Sequence, residues 1–234
     1  MTETGGGPAS SPTGRRILLL VGSVGAGKGT QAAALSRELG LVHLASGNLF
    51  RQALRDGTEL GERARVYMER GDLVPDEVTI EMFMRELAQP AAVRGAILDG
   101  FPRTVTQAKA LDATLAANGE RIERVISIEV PVDELVARVA GRRVCPVCGT
   151  PYHLAGDPPR VRGRCDRDGA ELQQLDDDRP EVVRARLAKQ VAPMLEVLKY
   201  YEDAGIVDHL DGTQPIPAVT REILDGLRRG GDDH

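Results

Sequence analysis

The string GSVGAGKGTQ, Gly22 to Gln31, stands directly after an apolar run, Arg15 to Gly22, and directly before a stretch with helical spacing. Gly22, Gly27 and Lys28 have the spacing of a phosphate loop, in which backbone N–H groups converge on phosphate oxygens at a helix start. The residue after Lys28 is Gly29, and the hydroxyl arrives one position later at Thr30. Such a loop works only between a strand and a helix, so it commits this part of the chain to a β-loop-α unit. The loop predicts a bound nucleotide.

Apolar runs recur at Leu41 to Ala45, Ala96 to Gly100, Arg124 to Val130 and Gly205 to Asp211. They are unbroken rather than alternating, which suits strands covered on both faces. Helical spacing predicts helices over Gly27–Leu39, Gln107–Ala117, Val132–Ala140, Pro180–Asp203 and Pro217–Leu227. The expected fold is α/β, a P-loop doubly wound five-stranded parallel sheet. Two segments fall outside the alternation. Residues 46–74 read as helical with no strand between, and 141–178 carry Pro, Gly and Cys without a long period. Both read as insertions at the carboxyl ends of strands. The expected domain spans 15–228, with its core at 15–45, 75–140 and 179–228, after a disordered leader at 1–14 and before a tail at 229–234.

Net charge is -5, aromatics are 3% and Trp is absent, which argues against nucleic acid as a partner. No apolar run approaches the roughly 20 residues of a membrane span, and the first residues lack the apolar core of a secretory signal. A cytoplasmic protein without membrane contact is expected. The three cysteines, Cys145, Cys148 and Cys165, all fall in the second insertion. Cys145-x-x-Cys148, sixteen residues, then Cys165-x-x-Asp168 is either a metal site with a carboxylate in last place or a set of unrelated thiols.

Asp99 closes a predicted strand, the place from which a P-loop protein holds Mg²⁺ through water. It opens DGFPRT, where Gly100 and Pro102 imply a tight turn that aims Arg103 back over the sheet end. Taken alone this could equally be an ordinary strand-to-helix turn. Further arginines, Arg51, Arg138, Arg142, Arg143, Arg184 and Arg186, lie at strand and insertion margins, with Arg143 and Arg184 read as solvated.

GSVGAGKGTQ, ASGNLFR, GDLVPDE, LDGFPRTVTQA, AGRRVCPVCGTPYH and DDDRPEVVRARL stand in the order and at the spacings of bacterial adenylate kinases of the long form with a zinc-bearing lid. The resemblance runs from about Arg15 to Leu227. It implies transfer of the γ-phosphoryl of MgATP to AMP, with a monophosphate-binding arm at 46–74 and a lid at 141–178, and a monomer is expected because these insertions must open and close freely. Gly25, Ala26, Gly27, Lys28, Gly29 and Thr30 would hold the ATP phosphates, and Arg138 would lie against its adenine. Pro151, Tyr152 and Gln214 would border ATP. The acceptor would be held by Ser46, Arg51, Asp72, Leu73, Val74, Gly100, Phe101, Pro102, Arg103 and Gln107. Arg51 and Arg103 take its phosphate in that reading, and Gln107 its base. Arg142 and Arg186 would bracket the moving phosphoryl, Arg186 also reaching AMP, while Asp99, Asp177 and Asp178 order Mg²⁺ waters. Cys145, Cys148, Cys165 and Asp168 would hold a structural Zn²⁺, since zinc accepts an Asp oxygen beside thiolates. His153 is a competing ligand or a lid residue near nucleotide.

The chain departs from the family pattern at Val24, usually Pro, at Ser46, usually Thr, and at Asn48, usually Asp. The largest departure is Leu175, which occupies a usual arginine position. Arg179, Arg164 or Arg167 could substitute, or the enzyme is slower or prefers another monophosphate. Ser46 keeps a hydroxyl and Gln107 is retained, which favours AMP over UMP or CMP. A P-loop regulator whose knuckle arginines, Arg160, Arg162, Arg164 and Arg167, grip a partner, and a paralogue that has lost activity, are the alternatives.

Overall fold

A computed structural model describes residues 15–70, 72–175 and 178–230, with only the backbone of Arg186. The five expected runs become β1 (Arg16–Val21), β2 (Val42–Ala45), β3 (Gly95–Asp99), β4 (Ile122–Glu129) and β7 (Val207–Asp211). They pair in parallel in the order β2-β3-β1-β4-β7. The order reverses at β1, so the crevice beyond the carboxyl ends of β1 and its neighbours is the place where such sheets bind ligands.

The centre of the sheet accounts for the unbroken apolar runs. Along β1, Ile17, Leu19 and Val21 face one cluster with Phe83, Leu111, Leu115 and Val197. Leu18 and Leu20 face the other, with Leu35, Leu135, Val183 and Ile223. Period-two side chains are thus buried on both sides, and every position must be apolar.

The helices α1 (Lys28–Leu39), α5 (Val105–Ala117), α6 (Val132–Ala140) and α7 (Pro180–Glu202) match the expected ones closely. α8 (Ile216–Gly230) runs through Arg229 and Gly230, which had been expected to belong to the tail. Residues 1–14 and 231–234 lie outside the described residues. Within 46–74 the chain forms α2 (Ser46–Arg55) and α3 (Glu59–Glu69). Thr58 caps α3 by accepting from Gly61 N, and its small partner Gly61 lets α3 pack against Ala53 of α2.

One helix, α4 (Asp76–Leu87), is absent from the sequence reading. Val78 and Met82 pack into the arm with Phe50, Leu60 and Ala64, whereas Phe83 and Leu87 pack into the sheet core. A helix with two partners carries two apolar stripes and shows no single amphipathic face. The second insertion contains an unexpected antiparallel hairpin, β5 (Arg142–Val144) and β6 (Pro151–His153). Among the described residues no helix is long and apolar enough to cross a membrane.

Candidate nucleotide site and metal centre

The glycine string curls from the end of β1 to the start of α1, whose first turn carries no acidic side chain to offset the helix dipole. Gly25 has φ +86°, and a Cβ there would come 2.8 Å from both Leu135 O and Val139 Cγ2, so the loop lies tight against α6. Lys28 donates from Nζ to Gly22 O at 2.8 Å and Ser23 O at 3.0 Å, which folds its ammonium over the loop.

Asp99 ends β3 beside this loop. Burial pushes its carboxyl up, but the His43 hydrogen bond and the charges of Lys28, His43 and Arg103 outweigh burial and hold it below the usual carboxylate range. His43 Nε2 lies 3.3 Å from Asp99 Oδ2. His43 comes from the adjacent strand, since Ala45 of β2 is in register with Asp99. The result is an ionised carboxylate next to the phosphate loop. A Cβ on Gly29 would sit 3.6 Å from Asp99 Oδ2, so the position after the lysine faces this carboxylate.

The DGFPRT turn is built by close approach. Gly100 has φ +75°, and a Cβ there would meet Ser46 Oγ at 2.6 Å and Arg103 Nη2 at 2.9 Å. The Phe101–Pro102 peptide is cis. Phe101 stacks on Phe83 with centroids 4.2 Å apart, leaving only its backbone for a ligand. Arg103 donates from Nε to Gly100 O at 2.9 Å and from Nη2 to Ser46 Oγ at 3.2 Å, joining the arm to the sheet end. Gln107 is buried behind this turn, and its amide bonds Arg103 N and Asp76. In the arm, Arg51 donates to Asn48 Oδ1 at 2.7 Å, and Asp72 pairs with Lys189 of α7 at 2.6 Å.

On the other side of β1, Arg138 pairs with Glu134 one turn away on α6. Its charge is the smallest of the causes that hold the Asp211 carboxyl low, the largest being the Thr213 hydroxyl. Asp211, Thr213, Val130 and Pro131 line an open cleft at the ends of β4 and β7, and Gln214 follows in the same turn. Arg142, first residue of β5, makes a bidentate pair with Asp178, Nε to Oδ2 at 2.7 Å, and Asp178 is fully buried. Asp177 and the side chain of Arg186 lie outside the described residues.

In the lid, one ligand atom each from Cys145, Cys148, Cys165 and Asp168 lies within 4.8 Å of the others. Backbone N–H groups of Cys148 and Arg167 point at Cys145 Sγ and Cys165 Sγ, both at 3.4 Å. The Asp168 carboxyl is held down to about 2, first by Ala170 N–H and then by the neighbouring thiols. Three sulfurs and one ionised oxygen, with no further ligand in the group among the described residues, fit a closed tetrahedral Zn²⁺ site. His153 stays out of this group. Its Nδ1 accepts from Ala155 N and Gly156 N, and its Nε2 is buried against Gly141. Tyr152 is buried in the lid with its hydroxyl accepting from Asp166 N at 2.8 Å, so it too offers a nucleotide only backbone.

A model of the family described as adenylate kinase matches residues 20–206. An adenylate kinase of Staphylococcus epidermidis is 44% identical over 210 residues, covering 90% of this chain and 98% of its own. One of Staphylococcus aureus is 43% identical over the same length and shares.

The chain belongs to the adenylate kinase family.

Its sheet is therefore that of a phosphotransferase, and the resemblance seen in the motifs is one of descent. Of the expected residues, Lys28, Asp99, Arg103 and Ser46 converge at the carboxyl ends of β1, β2 and β3, with Gln107 bonded to Arg103 N behind them, whereas Asp72 is paired with Lys189 of α7. Leu175 is half-buried where the adenylate kinase pattern has arginine. Arg164 is tied to Gly169 O and Arg167 to Thr150 Oγ1, both within the knuckle. Sequence reasoning missed His43 and Asp76. Each acts on a residue of another element, and the only signals available were that His43 interrupts the apolar run Leu41 to Ala45 and that Asp76 stands inside the matched string GDLVPDE.

Proposed function

We propose that this member of the adenylate kinase family transfers the γ-phosphoryl of MgATP to AMP, giving two ADP. The observation that carries this is the meeting of a phosphate loop, an ionised Asp99 and an Arg103 tethered to the arm through Ser46, all at one end of the sheet. Transfer between two phosphates needs no protein nucleophile. It needs donor and acceptor in line and positive charge around the equatorial oxygens. Gly25 to Thr30 with Lys28 would hold the donor phosphates, and Arg51 and Arg103 the acceptor phosphate. Leu73, Val74, Gly100 and Pro102 would frame the acceptor, with Gln107 on its base. Arg138, Pro151 and Gln214 would border the ATP base. Arg142 and Arg186 would close on the phosphoryl from the lid side, for which Arg142 exchanges its present partner Asp178.

Mg²⁺, ordered through water by Asp99 with Asp177 and Asp178, would supply charge neutralisation between the phosphates. Zn²⁺ on Cys145, Cys148, Cys165 and Asp168 would hold the lid together. Closure of arm and lid excludes water, without which ATP would be hydrolysed. We read the protein as cytoplasmic, and as a monomer because both flaps must swing freely.

The acceptor is tested by following ADP formation from ATP with AMP, UMP, CMP and GMP in turn. AMP is expected to be used best, and preference for UMP or CMP would redirect the reading to another monophosphate kinase. Leu175 removes one positive charge from the phosphoryl path. The substitution Leu175→Arg is expected to raise kcat/KM for AMP by about ten-fold, the effect of one added charge on a transferring phosphoryl being at least that large. Unchanged kinetics would mean that another cation, such as Arg179, already covers the position.

A further inference from the structure

We infer that Asp76 is a specificity-determining residue, which fixes the direction of the Gln107 amide so that the acceptor site takes amino-bearing bases and rejects oxo-bearing ones. The inference rests on the reading of Gln107 as the base contact.

Its grounds are hydrogen-bond polarity. TVTQ, Thr104 to Gln107, has the pattern of a capping box, and Thr104 Oγ1 indeed accepts from Gln107 N at 3.2 Å. The Gln107 side chain reaches one residue further back than that motif requires, and Oε1 accepts from Arg103 N at 2.7 Å. Its Nε2 donates to Asp76 Oδ1 at 2.8 Å, while Asp76 Oδ2 accepts from Thr104 Oγ1 at 3.0 Å. A backbone N–H can only donate, and an ionised carboxylate can only accept. Both partners therefore demand the same orientation of the amide. Flipping it would set N–H against N–H and oxygen against carboxylate. Gln107 is 2% exposed, so bulk water offers little compensation.

One Nε2 hydrogen and one Oε1 lone pair remain for a ligand. They form a donor and an acceptor in fixed order. Adenine offers the complement, a 6-amino donor beside the N1 acceptor. A 6-oxopurine of the same shape offers the reverse, an O6 acceptor beside an N1–H donor. An unrestrained glutamine would flip to suit either base. Locked by Asp76 and Arg103 N–H, it suits only the first, and the unpaired polar atoms left by the second are what produces rejection. The lock reads polarity and not size.

The test is kcat/KM for AMP and for inosine monophosphate, with saturating MgATP, in the parent and in Asp76→Asn. An asparagine can present either a donor or an acceptor, so one of the two locks is released. The IMP to AMP ratio is expected to rise about ten-fold, the scale of one hydrogen bond made or lost. Thr104→Val, which removes the cap but leaves Asp76 as an acceptor for Gln107, is expected to keep the parent ratio. The ratio is internal to each preparation, so partial unfolding cancels. Should Asp76→Asn give no active protein, Asp76→Ala is expected to move the ratio the same way. A ratio unchanged in both Asp76 variants, or raised equally by Thr104→Val, overturns the inference while leaving the kinase reading intact. A parent that phosphorylates no AMP fails the kinase reading itself.

Discussion

Lys28→Met is expected to lower turnover by about three orders of magnitude, the scale seen when one pre-placed charge on a developing anion is removed. Methionine keeps the length and the apolar stem of lysine, so the loop's contact with α6 through Gly25 should survive. What is lost is the ammonium, now held over Gly22 O and Ser23 O at 2.8 and 3.0 Å. That charge matters most when negative charge spreads over the transferring group, so kcat should fall much further than ATP binding weakens. A second consequence is readable at Asp99. Lys28 helps to hold its carboxyl low, after the His43 hydrogen bond, so the acid limb of the pH–rate profile should move up in the variant. Steady-state kinetics across pH check both. A turnover within a few-fold of the parent would mean the loop does not hold the donor phosphates.

Loss of the proposed lid metal is expected to have the second largest effect. The buried cluster of the lid consists of Cys145, Tyr152, Cys165 and Leu172, and two of these four are candidate ligands. So small a set cannot support a fold alone, whereas a structural Zn²⁺ contributes on the order of 10 kcal/mol at neutral pH. Cys165→Ser, or a strong chelator, should therefore abolish amide-exchange protection across 142–173 while the sheet stays protected. Turnover should fall at least about ten-fold, because Arg142 rides on β5 and, in the proposed role, would reach the phosphoryl only through an ordered lid. Purified protein should carry close to one zinc per chain. A metal content near zero in a protein with a protected lid would contradict the assignment of Cys145, Cys148, Cys165 and Asp168.

The parts of the fold legible in the sequence are those in which one local rule decides the outcome. The central strands β1 and β3 are buried on both faces, so Ile17 to Val21 had to be apolar throughout, and the glycine string needed a strand before it and a helix after. α4 was illegible because Val78 and Met82 serve the arm while Phe83 and Leu87 serve the sheet. The hairpin of β5 and β6 was illegible for another reason, since strands of three residues carry no period and their ends are held by the cysteine knuckle. In the site, the loop, Asp99 and Arg103 could be named from their motifs. His43 and Asp76 could not, because their roles arise from partners 56 and 31 residues away that only the register of β2 on β3 and the docking of α4 on α5 bring within reach.

The central claim is direct passage of a phosphoryl group from one nucleotide to another with water shut out. Its plainest test follows ATP, AMP, ADP and orthophosphate together by ³¹P NMR after the protein is added with Mg²⁺. The account predicts that ATP and AMP decline in equal amounts, that two ADP form for each ATP consumed, and that no orthophosphate is released. Orthophosphate rising while AMP stays constant, or no change at all, would contradict it.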